Sequence, residues 1–196
     1  MVNINYRLKK GVPIAISGLT RALNFLEANN NDYLLNLGNI VVTGFSAGAH
    51  IATNVGLSQN NPEFPTPLKT GVTITAVINF LGSVGRQDII ERTFINSDIE
   101  VFNTLGKALF PFEGYEVEDV YAVYEPITYF DENDPPLFLW QGSVDEQIVP
   151  ETYSAFISLL RKNKDVHILV ANGKHSPTEE EFNHAYIEIF SFLDKL

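Results

Sequence analysis

Asn39-Ile40-Val41-Val42-Thr43-Gly44-Phe45-Ser46-Ala47-Gly48 is the stretch whose reading decides the fold. Residues 39–43 form a β-branched, nearly all-apolar run, the pattern of a strand buried on both faces of a parallel sheet. Ala47 to about Ser58 reads as a helix. Between them stands Ser46, with Gly44 and Gly48 two residues to either side. A turn this tight holds the serine in strained backbone, and side chains at the flanks would collide. Glycine at both flanks relieves the collision and leaves Oγ exposed at the end of the strand. The same residue pattern also occurs as a plain glycine-rich turn. The strand before it and the helix after it set this one apart.

Working outward, Val2-Asn3-Ile4-Asn5-Tyr6-Arg7-Leu8 alternates apolar and polar residues and predicts a strand. Pro13 suits the first position of a helix, and Leu19, Ala22, Leu23 and Leu26 recur at helical spacing. Residues 71–80 read as a further strand, as does Leu137-Phe138-Leu139-Trp140 after Pro135-Pro136. A helix is expected from Pro150 to about Lys162, then a strand at 166–170. Ser176-Pro177-Thr178-Glu179 announces the last helix, with Ser176 as N-cap and a stripe of Phe182, Ala185, Tyr186, Ile189 and Leu193. Strands alternating with helices imply an α/β fold with a mainly parallel sheet and helices on both faces. Residues 82 to about 125 carry Phe94, Phe102, Phe110, Phe112, Tyr115, Tyr121 and Tyr124 without one period. That suits an inserted cap over a pocket, or irregular packing on the sheet.

The chain of 196 residues has the size of one domain, with 45% hydrophobic and 19% charged residues. A formal net charge of −11 disfavours nucleic acid and anionic membrane surfaces as partners. With no cysteine, disulfides, thiolate metal sites and cysteine nucleophiles are excluded, which fits a reducing cytoplasm. No apolar run reaches the roughly 18 residues of a membrane span, and residues 1–7 lack the pattern of a signal peptide. No H-E-x-x-H or comparable metal-ligand cluster appears, and no cofactor is expected.

A serine hydroxyl needs a base to take its proton, and histidine suits that task near neutral pH. Of four histidines, His184 falls on the polar face of the last helix, and His167 lies near the start of its strand. His50, one turn beyond Ser46, is expected to pack or hydrogen-bond locally. His175 alone lies in a loop at the carboxyl end of a strand, where active sites of such sheets form. Among acids, Asp145 follows a strand, with Glu146 adjacent and open as an alternative. Asp131, Glu132 and Asp134 precede the strand and read as solvated loop residues. Ser46, Asp145 and His175 thus each follow a strand, in the chain order expected of this hydrolase arrangement.

At this point the chain resembles the esterase/lipase group of α/β-hydrolases, which includes acetyl esterases and carbohydrate-ester hydrolases. Asn5-Tyr6-Arg7-Leu8 is similar to the group's N-Y-R-L stretch. Gly44-Phe45-Ser46-Ala47-Gly48-Ala49-His50 resembles G-x-S-A-G-G-H. Gln141-Gly142-Ser143-Val144-Asp145 with Val149-Pro150 resembles H-G-x-x-D-x-x-V-P, glutamine standing for histidine, and Gly173-Lys174-His175 matches G-x-H. The resemblance implies an α/β-hydrolase fold cleaving small carboxylic esters, with Ser46 as nucleophile, Asp145 as acid, His175 as base and the Ala47 N–H in the oxyanion hole. Thioesterase or peptidase activity, and a non-catalytic binding role, stand as alternatives. The group's three earlier strands and H-G-G-G loop have no counterpart in these residues. Lys10-Gly11 and Leu81-Gly82-Ser83 are poor substitutes for the missing oxyanion donor. A fragment of a longer enzyme, an inactive member, or a homodimer covering an exposed sheet edge would each account for this.

Overall fold

The computed structural model describes residues 1–8, 10–110, 114 and 116–196. Its centre is a parallel sheet of four strands in the order β1 (Ile40–Phe45), β2 (Ile74–Phe80), β3 (Leu137–Gly142) and β4 (Val166–Val170). The chain is an α/β protein built on this parallel sheet, with helices on both faces. Register pairs Val42 with Val77, Ile78 with Phe138, and Trp140 with Ile168. All four strands point the same way, so their carboxyl ends form one rim. The expected strand at 71–80 begins only at Ile74, whose backbone N–H and C=O are both bound by the Gln59 side-chain amide at 2.9 Å.

One face of the sheet is covered by α1 (Val12–Ala28), which the short α2 (Asn30–Tyr33) follows, and by α3 (Ala47–Ser58); α1 and α3 bury Ile16, Leu23, Ile51 and Val55 against Val42 and Val77. Pro13 takes the second position of α1, where a missing N–H costs nothing. The other face is covered by α8 (Glu179–Leu193), where Ala185 and Phe192 meet Ile78, Phe138 and Trp140. Burying side chains of this size contributes about 1.5–3 kcal/mol each.

The last helix starts two residues later than Ser176-Pro177 suggests. Thr178 is its N-cap, accepting from Glu181 N at 3.2 Å, while its own N–H donates to Glu181 Oε2 at 2.6 Å. The reciprocal box satisfies two end donors together, and it is Thr178 with Glu181, not Ser176 with Glu179, that forms it. The buried stripe keeps Phe182, Ala185, Ile189 and Leu193 and gains Phe192, whereas Tyr186 is exposed.

Three further expectations are corrected. Val2–Leu8 forms no strand: alternation alone makes no ladder, and no strand among the described residues pairs with it. Residues 1–6 instead line a groove with Leu19, Leu23 and β1. Nor is β1 buried on both faces. It is the edge strand, and α8 does not reach it, so Val41 and Phe45 remain 39% and 45% exposed. The helix expected from Pro150 breaks into a 3-10 turn, Pro150–Thr152, and the short α7 (Ser154–Ile157). There the hydroxyls of Ser154 and Ser158 bond the carbonyls of Glu151 and Ala155, competing with a continued helix.

At the amino ends of β3 and β4, Arg161 spends all five guanidinium donors. They go to both oxygens of Asp165 and to the carbonyls of Asp131, Asp134 and Pro135. This draws the loop before β3 inward and buries Asp134, which is 1% exposed rather than solvated. Between β2 and β3 lie α4 (Gln87–Ile95), α5 (Glu100–Leu109) and α6 (Val117–Val123). Phe94, Phe110 and Tyr124 are buried there, with Phe102 and Tyr121 packed against them. Phe112 and Tyr115 lie outside the described residues. Among the described residues, no helix is long and apolar enough to cross a membrane.

Candidate active site

Ser46 sits between the last residue of β1 and the first of α3, at φ 52° and ψ −120°. A side chain at positive φ costs about 1–3 kcal/mol and persists only where its surroundings fix it. Ser46 is fixed through its backbone: N–H donates to Phe80 O at 2.9 Å, and its carbonyl accepts from His50 N at 3.0 Å. A Cβ on Gly44 would lie 2.3 Å from the Gly48 carbonyl carbon, so that position admits only glycine. Gly48 differs from expectation: a Cβ there meets nothing within 4 Å, because its Cβ direction points into open space.

A third glycine, Gly82, weighed in the sequence only as an oxyanion substitute, completes the turn. A Cβ on Gly82 would stand 2.9 Å from Ser46 O and 2.7 Å from His50 N. Gly82 lets the loop after β2 lie directly on the elbow, and its own N–H is spent on Asn79 Oδ1 at 2.8 Å. It therefore has no donor to offer an oxyanion. Gln141, in the place of the family's histidine, is fully buried and donates to Gly82 O at 3.1 Å. Gly11 lines the same pocket as Ser46 and Ala47.

Asp145 and His175 come from the loops after β3 and β4. A Cβ on Gly142 would fall 2.4 Å from Gly173 O, and Val144 N donates to that oxygen at 3.0 Å. The end of β3 and the loop after β4 thus lie in backbone contact because Gly142 has no Cβ, while Gly173 folds tightly back on Val170 of its own strand. Asp145 is 2% exposed; its Oδ1 accepts from the backbone N–H of Gln147 and of Ile148, each at 2.8 Å. Its Oδ2 lies 2.8 Å from His175 Nδ1. With Nδ1–H given to the carboxylate, His175 Nε2 is left to accept the Ser46 hydroxyl, also at 2.8 Å. Glu146 is exposed and takes no part. All three side chains singled out in the sequence are thus brought into one hydrogen-bonded line. A serine so placed can be deprotonated as it attacks a carbonyl.

The other histidines lie apart from this line. His184 is exposed beside Glu188 and the Trp140 ring. His167 is half buried, and burial pushes its pKa down. His50 is buried, and burial drives its pKa down to about 4, partly opposed by the Ser83 carbonyl. Beside Ser46 a pocket opens among residues 6–8, α1, α3 and α4, walled by Val12, Ile51, Ile90, Phe94 and Phe110. Segment 82–125 therefore supplies much of that wall.

The BD-FAE family matches over residues 1–160. The chain is 24% identical over 178 residues to endo-1,4-beta-xylanase B of Butyrivibrio fibrisolvens, a match covering 83% of this chain and 24% of that protein. It is 27% identical over 157 residues to esterase LipC of Mycobacterium tuberculosis, covering 76% and 36%. Thus it spans about a quarter to a third of these curated relatives. Among solved structures, a bifunctional GH43-CE protein of Bacteroides eggerthii superposes with a TM-score of 0.67 at 23% identity, over 95% of this chain and 26% of that one. Esterase B of Lactobacillus rhamnosis gives 0.66 at 18% identity, over 97% and 65%. With the family matched over most of its length and the sheet shared with these structures, the chain belongs to the BD-FAE family of α/β-hydrolase-type proteins.

Proposed function

We propose that this chain is the catalytic part of a serine carboxylesterase working through an acyl-enzyme. The observation that carries the reading is the continuous line from Ser46 Oγ through His175 to Asp145, each step 2.8 Å. His175 removes the Ser46 proton as Oγ attacks the ester carbonyl, and Asp145 stabilises the imidazolium that forms. The orphan N–H of Ala47, at the start of α3, faces the developing oxyanion. His175 then protonates the leaving alcohol. Water, activated by the same imidazole, releases the acid and restores Ser46. The segment 82–125 serves as the pocket-forming insertion. Esterases and carbohydrate-active proteins among the matched relatives support small esters, including those on carbohydrate, as the substrate class.

The test uses a fluorophosphonate probe together with short-chain nitrophenyl esters. Wild type is expected to label and to turn over, and Ser46→Ala to do neither. Equal labelling of both proteins would overturn the reading. Hydrolysis of peptide amides in preference to esters would replace esterase with peptidase.

A further inference from the structure

Beside Ser46 the pocket wall is mainly apolar, but it carries Tyr6, Arg7 and His50 and two buried neutral polar side chains. Ser83 and Gln87 are each 4% exposed and line the pocket with Val12, Ala15, Ile90 and Phe94. Neither belongs to the Ser46–His175–Asp145 line.

Their hydrogen bonds can be followed proton by proton. Asn54 Nδ2 donates to His50 O at 3.1 Å, which sets its amide with nitrogen towards the His50 ring, 3.1 Å from Nε2. His50 Nε2 therefore accepts. The single proton of this neutral ring sits on Nδ1 and goes to Ser83 O at 3.1 Å. Ser83 Oγ receives from Gln87 Nε2 at 2.8 Å and lies 3.1 Å from the same Nδ1–H. Both neighbours of Oγ give protons and neither takes one. The Ser83 hydroxyl proton thus has no acceptor among the described residues. If the Gln87 amide is turned over, its oxygen accepts that proton and also faces His50 Nδ1–H, 3.2 Å away, and its own NH₂ is left unspent. One donor therefore has no partner among the described residues in either arrangement, and an unmade hydrogen bond is costly.

We propose that Ser83 and Gln87 form a polar subsite that selects groups carrying one hydrogen-bond-accepting oxygen, an ether, keto or hydroxyl oxygen, on an otherwise hydrocarbon chain. The aliphatic and aromatic wall favours the chain, and the unspent donor fixes where its oxygen must fall. The inference rests on the esterase reading only in taking this pocket as the one that holds part of the ester.

The experiment measures binding, so that it does not depend on turnover. Dissociation constants are determined by NMR titration for unreactive alkyl methyl ketones and for analogues in which each methylene in turn is replaced by an ether oxygen. Wild type, Ser46→Ala, Ser83→Ala and Gln87→Leu are compared. At one chain position the oxygen is expected to improve binding, relative to its effect elsewhere along the chain, by about threefold to tenfold in wild type and in Ser46→Ala. That advantage is expected to disappear in Ser83→Ala or in Gln87→Leu. Should either of these variants fail to fold, the wild-type scan still decides. A uniform penalty for oxygen at every position overturns the proposal, as does an advantage that both variants retain. Absence of fluorophosphonate labelling would refute the esterase reading while leaving these binding ratios unchanged.

Discussion

Ser46 Oγ and His175 Nε2 lie 2.8 Å apart although 129 residues of chain separate them. What closes that separation is backbone geometry: two loops touch at Gly142 and Gly173, and a strained turn is held by Gly44 and Gly82. The side chains proposed to be catalytic are thus positioned by residues that have no side chain.

Asp145 carries two duties that mutation can separate. Asp145→Asn keeps an oxygen for the Gln147 and Ile148 N–H groups but no longer holds His175 in the required tautomer. Esterase kcat is expected to fall by about 10⁴, with little change in melting temperature. Asp145→Ala loses both duties and is expected to destabilise by a further 1–3 kcal/mol or roughly so, read from urea unfolding.

The two flanking glycines should behave oppositely. Gly44→Ala drives a Cβ into the backbone at Gly48 and is expected to cost about 2–4 kcal/mol or to prevent folding. Gly48→Ala meets open space on a helix and is expected to stabilise by up to about 1 kcal/mol. Thermal melts of the two proteins check both signs.

Burial pushes the Asp134 carboxyl up to about 7, so the folded state holds its proton more tightly than the unfolded chain does. Stability from this group is therefore greatest below its unfolded pKa of about 3.9 and falls as pH rises towards 7. Asp134→Asn, which never ionises, is expected to be more stable than wild type by about 2 kcal/mol at high pH and to match it at acid pH. Urea midpoints above pH 7 and near pH 4 give the comparison.

His50 acts in the other direction. Its folded pKa of about 4 lies below the usual 6.5, so its contribution is complete above 6.5 and is lost as pH falls towards 4. Across that window the loss reaches roughly 3 kcal/mol. In wild type the Asp134 slope opposes it. In Asp134→Asn the His50 slope should stand out, and adding His50→Gln should flatten it. An unchanged slope in the double variant would assign the effect elsewhere, His167 being the next candidate.

Among the described residues, the outer edge of strand β1 pairs with no strand, beside the exposed side chains of Val41 and Phe45. Copies carrying a net charge of −11 repel one another. Self-association through this edge is therefore expected to grow as salt shortens the Debye length from about 30 Å to about 3 Å. Sedimentation equilibrium should show that rise, and Val41→Lys should suppress it.

The parts of this fold legible in the sequence are those written locally. Ile40–Phe45, Leu137–Gly142 and Val166–Val170 are apolar runs of strand length, and the catalytic candidates follow them. What was missed depends on partners far along the chain. Val2–Leu8 alternates like a strand, yet a strand exists only with a neighbour. Asp134 looks solvated until Arg161, 27 residues later, pulls its loop inward. Two capping signals overlap at 176–181, and only the Thr178–Glu181 pair satisfies both donors. Ser83 and Gln87 carry no motif at all, because their interest lies in a proton left without an acceptor.

Gly82 lies 36 residues beyond the serine it supports, in a loop that contributes nothing to the G-x-S-x-G signature. Since a methyl group there would strike the Ser46 carbonyl and the His50 nitrogen, the nucleophile turn is a two-stranded object rather than a pentapeptide. Grafting residues 44–48 alone onto another sheet would transfer the sequence of the turn without the surface that keeps it bent.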